Sequence, residues 1–129
     1  MLCLVLSSCD SQKRLLLLSS EPINRQNISI VPEKPSFSER QKIYFLLLSK
    51  EPIECPVLRL QVLKFENKYG YPISKVDIAY AIDIERGENK NAVSDYFVLQ
   101  ESGDYFIRIF AADNFRTPLV EAEFSVDKQ

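Results

Sequence analysis

The sequence predicts an all-β fold, an antiparallel sandwich of about seven short strands. Three observations carry this expectation. Apolar residues recur with period two from Asn27 onward, and clusters of Pro, Gly and Asn interrupt them roughly every 8–12 residues. No stretch sustains a helical repeat.

Taken in order, residues 28–31 (ISIV) form a short strand stopped by Pro32 and Pro35, because proline cannot donate to a β-ladder. Lys42–Ser49 (KIYFLLLS) is apolar on both faces, as expected of a central strand, and Pro52 and Pro56 bracket the turn after it. Val57–Glu66 alternates, with Leu58, Leu60 and Val62 on one face and Arg59 and Gln61 on the other. Residues 67–72 (NKYGYP) read as a loop. In Lys75–Glu85 the alternation places Val76, Ile78, Tyr80, Ile82 and Ile84 inward, with Asp77, Ala79, Ala81, Asp83 and Glu85 outward. A loop over 86–91 precedes strands at 96–100, 104–112 and 119–126, with a turn at Ser102-Gly103.

The stretch LQESGDYFIRIFAADN, residues 99–114, resembles the late-strand signature of immunoglobulin-like domains, in which Gly-x-Tyr precedes a buried strand. Gly103, Tyr105 and Ile107 fit, with Ile107 where antibody domains place their second cysteine. The resemblance implies an antiparallel Ig-like (Greek-key) sandwich over residues 28–127. It also implies a tyrosine corner, with the Tyr105 hydroxyl bonded to backbone just upstream. The chain has no Trp and no cysteine pair in this region, so the likeness is to disulfide-free modules of bacterial envelope proteins.

Composition excludes several chemistries. The 129 residues, 46% hydrophobic and 26% charged, suit one soluble domain with its own core. A net charge of −2 leaves no basic field for nucleic acid. There is no histidine. That removes the usual general base near neutral pH, the Ser-His and Cys-His nucleophile pairs, and histidine metal sites. Cys3, Cys9 and Cys55 show no CxxC spacing, and Cys55, between Glu54 and Pro56, reads as an inert, partly buried thiol. No catalytic residue, metal or cofactor is expected.

The first residues, MLCLVLSSCDSQ, are apolar and then small up to Cys9. The run is too short for a membrane span, which takes about 20 apolar residues. Leu6-Ser7-Ser8-Cys9 resembles the lipobox of bacterial lipoproteins, an aliphatic residue and two small ones before a cysteine. That resemblance implies cleavage before Cys9 and lipidation of its thiol. The basic start usual in such signals is missing, which fits a start codon placed inside the true signal. The domain reading is therefore 1–8 signal, 9–27 tether and 28–127 sandwich, with residues 15–18 (LLLL) of the tether either a first strand or a segment lying against the domain. The segment LLLLSSEPI (15–23) echoes FLLLSKEPI (45–53) without a third copy, so it is a coincidence or short duplication and no solenoid.

Two sets of side chains are candidate sites. The acidic positions Asp77, Asp83 and Glu85 are too spread along one strand to share an ion and read as a solvated stripe. Tyr69 and Tyr71 around Gly70, with Phe115 and Arg116, either contact a partner or fold back over the sandwich ends. The expected function is a non-enzymatic, lipid-anchored envelope protein on the extracytoplasmic side, held to the membrane through Cys9. Its Ig-like domain binds an envelope protein or acts as a scaffold. The alternatives are a carboxylate-dependent envelope hydrolase and an intracellular Ig-like domain with Cys9 unmodified.

Overall fold

The computed structural model describes residues 13–24, 34–66 and 75–128. Among these there is no helix. The strands are β1 (Arg14–Ser19), β2 (Ser36–Ser38), β3 (Lys42–Ser49), β4 (Val57–Glu66), β5 (Lys75–Glu85), β6 (Ala92–Val98), β7 (Gly103–Ala111) and β8 (Val120–Asp127). They form a three-stranded sheet, β1-β3-β6, facing a five-stranded sheet, β2-β8-β7-β4-β5. All pairings are antiparallel except β2 with β8. The chain changes sheet between β1 and β2, β2 and β3, β3 and β4, β5 and β6, and β6 and β7; the last three are the crossovers of an Ig-like Greek key.

Why these residues make these strands follows from the period of two. Ile43, Phe45 and Leu47 of β3 and Leu58, Leu60 and Val62 of β4 are all buried, and so are Ile107 and Ile109 of β7 and Phe124 of β8. Burying such side chains contributes about 1.5–3 kcal/mol each. The corner implied by Tyr105 is present: its hydroxyl donates to the Glu101 carbonyl at 2.7 Å, and its ring stacks on Phe124 at 5.5 Å. Gly103, at φ 153°, lets β7 begin against the stem of Lys64, because a Cβ there would lie 2.7 Å from Lys64 Cε.

Four expectations are corrected. Residues 14–19, assigned to the tether, are a strand of the sandwich, with Leu18 only 2% exposed. The four leucines of β1 pair with β3, Leu15 with Leu48 through Leu18 with Phe45, so the two echoing segments are neighbours in one sheet. The echo itself does not preserve facing: Leu16 and Leu18 turn to the core, whereas the equivalent Leu46 and Leu48 turn away from it. Second, β6 starts at Ala92 and ends at Val98, because Ala92 and Val93 pair with Leu48 and Leu47. Third, a short Ser-Phe-Ser strand, β2, adds an eighth element by seating Phe37 in the core.

The fourth correction concerns β5. Val62 pairs with Tyr80 but Leu63 with Ile78, so Ala79 is an extra, bulged residue. The bulge switches the faces. Tyr80, Ile82 and Ile84 share the inner face of Val62, Leu60 and Leu58, whereas Ile78 shares the outer face of Leu63 and is 61% exposed. A bulge and the flanking Asp77, Asp83 and Glu85 also blunt this edge strand against pairing with another chain. Residues 28–31, expected as a strand, lie outside the described residues.

Three loops share one end of the sandwich, 50–56, 86–91 and 112–119, together with the start of β1. Backbone bonds tie them there: Lys50 N–H to the Lys13 carbonyl, Ile53 N–H to the Lys90 carbonyl, and Ala112 N–H to the Val57 carbonyl. The Cys55 thiol, half-buried in the first loop, donates to the Val57 carbonyl.

Two stability measurements check this architecture. Leu18→Ala should lower the unfolding free energy by about 2–5 kcal/mol in urea titration, as for a core leucine; a change near zero would return β1 to the tether. Tyr105→Phe should cost about 1 kcal/mol. Burial first, then the carboxylates of Glu101 and Glu39, hold the Tyr105 hydroxyl above its ordinary range. Its folded value therefore exceeds the unfolded one near 10. The stabilisation is complete below about pH 10 and is lost as pH rises through the folded value. Wild type should accordingly lose stability more steeply with alkali than Tyr105→Phe.

Candidate functional site

The outer face of the five-stranded sheet gathers the residues best suited to recognition. On β4, Arg59, Gln61, Leu63 and Phe65 point outward, opposite Phe110, Arg108, Phe106 and Asp104 of β7. On β8, Glu123 stands opposite Phe106 and Glu121 opposite Arg108. On β5, Asp83 and Ala81 stand opposite Arg59 and Gln61.

These side chains interlock as a ladder of rings and guanidinium groups. Phe65 and Phe106 lie with ring centroids 4.9 Å apart. The Arg108 guanidinium sits 5.5 Å from the Phe106 ring and 5.3 Å from the Phe110 ring, and its Nη2 donates to Gln61 Oε1 at 3.1 Å. Its Nε is buried without a hydrogen-bond partner. Phe115 meets Phe110 edge-on at 6.0 Å and lies under Arg59, whose guanidinium is 4.8 Å from the ring. Each cation–π contact of this kind contributes about 0.5–1 kcal/mol at an exposed site. The ladder buries Leu63 and Phe110 to 6% and 4% exposure although both face outward.

Charge is distributed unevenly across this face. Arg59 donates from Nε and Nη2 to the two oxygens of Asp83, at 2.5 and 3.2 Å. That bidentate bond holds the Asp83 carboxyl below its ordinary range and raises Arg59 above its own. Across the sheet, Asp104, Glu121 and Glu123 make no ion pair among the described residues. A cleft of about 590 Å³ lies beside them, lined by Phe65, Phe106, Glu121, Ala122 and Glu123.

A second opening, of about 390 Å³, lies between β5 and β6 and reaches Phe45, Leu60 and Phe97. Ile82, on edge strand β5, is 43% exposed there, and Tyr96, paired with Tyr44 on the outer side of the smaller sheet, is 46% exposed. Among the described residues no group of three acidic or cysteine side chains could hold a metal ion.

The residues expected from sequence fall apart in space. Phe115 belongs to the ladder and is half exposed, so it both packs and faces solvent. Arg116 is exposed in the same loop, and its backbone N–H donates to Asn114 Oδ1. Cys9, Tyr69 and Tyr71 lie outside the described residues. The strands flanking Tyr69 and Tyr71 meet at the opposite end from loop 112–119. Phe65, Phe106, Arg108, Phe110, Glu121 and Glu123 were missed. The available signal was β7 itself, where Phe106, Arg108 and Phe110 occupy alternate outward positions in a strand whose inward positions are also apolar.

No family model matches the chain, and no curated protein matches it. Among solved structures it is similar to the soluble domain of PmoD from Methylocystis sp., at 9% identity over 88% of this chain and 90% of that one, TM-score 0.49. It is similar to the CARDB domain of the PF1109 protein from Pyrococcus furiosus, described in complex with di-metal ions, at 11% identity over 90% and 94%, TM-score 0.39. It also resembles part of the alkylpurine DNA glycosylase AlkC from Pseudomonas fluorescens, at 13% identity and TM-score 0.40. There it covers 89% of this chain and 30% of that one. These likenesses are too distant to bear on function, and the Ig-like assignment rests on strand order, register and the tyrosine corner.

Truncating the ladder should separate its buried and exposed members. Phe110→Ala should cost about 3–5 kcal/mol in urea unfolding, whereas Phe115→Ala should stay within about 1 kcal/mol. Equal costs would contradict the layered arrangement.

Proposed function

We propose that this chain is a non-enzymatic, lipid-anchored cell-envelope protein whose Ig-like domain is a binding module. The outer face of the five-stranded sheet is its recognition surface for a protein partner. The observation that carries this reading is the ladder of Phe65, Phe106, Arg108, Phe110, Phe115 and Arg59 on a sheet face bearing unpaired carboxylates. Aromatic rings and arginines are the residue types that dominate interface energies.

The anchor rests on Leu6-Ser7-Ser8-Cys9. With β1 starting at Arg14, five residue steps separate the lipidated residue from the sandwich. Fully extended they reach about 18 Å. The end carrying loops 50–56, 86–91 and 112–119 therefore stays close to the bilayer, and the sheet faces remain accessible from the side.

Two measurements test this. Expressed with its upstream region, wild type should carry an acyl mass and partition into detergent, while Cys9→Ser stays aqueous; a wild type without acyl mass in the aqueous phase sinks the anchor. A photo-crosslinking residue at Ala81, on the proposed face, should yield a discrete adduct in cells. The same residue at Ser94, on the outer face of the other sheet, should not. Equal adducts at both positions would sink the recognition surface.

A further inference from the structure

We propose that the cleft between Phe65, Phe106, Glu121 and Glu123 receives a cationic side chain, arginine or lysine, from a basic segment of the protein partner. The proposal rests on the reading of this sheet face as the recognition surface and names the chemistry it selects.

The floor of the cleft is aromatic. The Phe65 and Phe106 rings are half-buried against one another, 4.9 Å between centroids, and leave π-surface open to the cavity. The wall is anionic. Glu121 and Glu123 leave β8 on the same face, and both are exposed. A π-face with adjoining carboxylates attracts a cation twice over, through the ring quadrupole and through the formal charges.

The molecule already holds a cation on the same aromatic row. Arg108 lies over Phe106 and Phe110 and bonds to Gln61, yet it makes no ion pair with Glu121, the residue directly across the ladder. The two glutamates thus make no ion pair among the described residues, beside rings that favour positive charge. At about 590 Å³ the cleft lies within the range of about 300–1,000 Å³ typical of ligand sites.

Among the described residues, β2 pairs with β8 at Ser125–Asp127, beyond Glu121 and Glu123. From the outer face of the sheet, where the cleft opens, an extended segment can lay one basic side chain over Phe106. Acidic and phosphorylated segments meet the two carboxylates head-on and are disfavoured.

The test uses the full chain carrying Cys9→Ser, labelled with ¹⁵N, titrated with N-acetyl-arginine amide and N-acetyl-lysine amide, with N-acetyl-glutamine amide as control. Saturable amide shifts should centre on Phe65, Phe106 and Glu121 to Glu123, weaken at high salt, and be absent with the glutamine analogue. Glu121→Gln with Glu123→Gln should weaken binding about three- to tenfold, and Phe106→Leu about two- to fivefold. Equal shifts with the glutamine analogue, no saturation in the parent chain, or unchanged affinity in the double variant would overturn the proposal. So would cleft shifts that depend on protein concentration alone, which would make the occupant a second copy. The Ala81 adduct separates the two readings: if it persists in the double variant, the face is a recognition surface but its partner is not selected by a cation.

Discussion

Phe124 has no exposed surface, and its ring meets three others: Phe37 of β2 at 6.0 Å, Phe97 of β6 at 5.9 Å and Tyr105 of β7 at 5.5 Å. One residue of β8 thereby joins a neighbour on each side of its own sheet to the edge strand of the opposite sheet. Ring pairs in such geometry add about 0.5–1.5 kcal/mol beyond the area they bury. The Tyr105 ring is held by this stack, and its hydroxyl in turn pins the turn before β7. Because successive side chains alternate, fixing Tyr105 inward fixes Phe106, Arg108 and Phe110 outward. The proposed recognition face is the reverse side of the core register.

The two sheets are unequal, and that inequality shapes the surface. Three strands cover the inner face of five, so β5 extends beyond its cover and is managed by the Ala79 bulge and acidic side chains rather than by burial. On the outer side of the large sheet, the central rows are apolar enough to bury Leu63 and Phe110 by mutual packing alone. Positive charge there is tied up by rings, Gln61 and Asp83. Glu121 and Glu123 make no ion pair among the described residues, which gives the face a direction along the sheet.

Much of the fold was legible because local rules governed it. The bounds of Lys42–Ser49, Val57–Glu66 and Lys75–Glu85 could be read from alternation stopped by Pro, Gly and Asn, and the tyrosine corner from Gly103 and Tyr105. What stayed hidden was not local. The bulge at Ala79 sits between small residues and apolar neighbours, so alternation reads straight through it and misplaces Ile78. β1 was legible only as one of two options, a first strand or a segment against the domain, because four consecutive leucines carry no alternation and only pairing with β3 gives them faces. The site was hidden for a deeper reason. Phe65, Phe106 and Glu123 come from three strands whose lateral order is set by the Greek key, and no segment of the chain contains that order.

The rings form two sets that never mix. Phe37, Phe97, Tyr105 and Phe124 lie between the sheets, and Phe65, Phe106, Phe110 and Phe115 lie outside. The most direct test is a ring-to-ring nuclear Overhauser map of the full chain carrying Cys9→Ser. The predicted result is cross-peaks from Phe124 to Phe37, Phe97 and Tyr105, and from Phe106 to Phe65, with none between the two sets. A cross-peak joining Phe106 to Phe124, or no contact between Phe97 and Phe124, would contradict it.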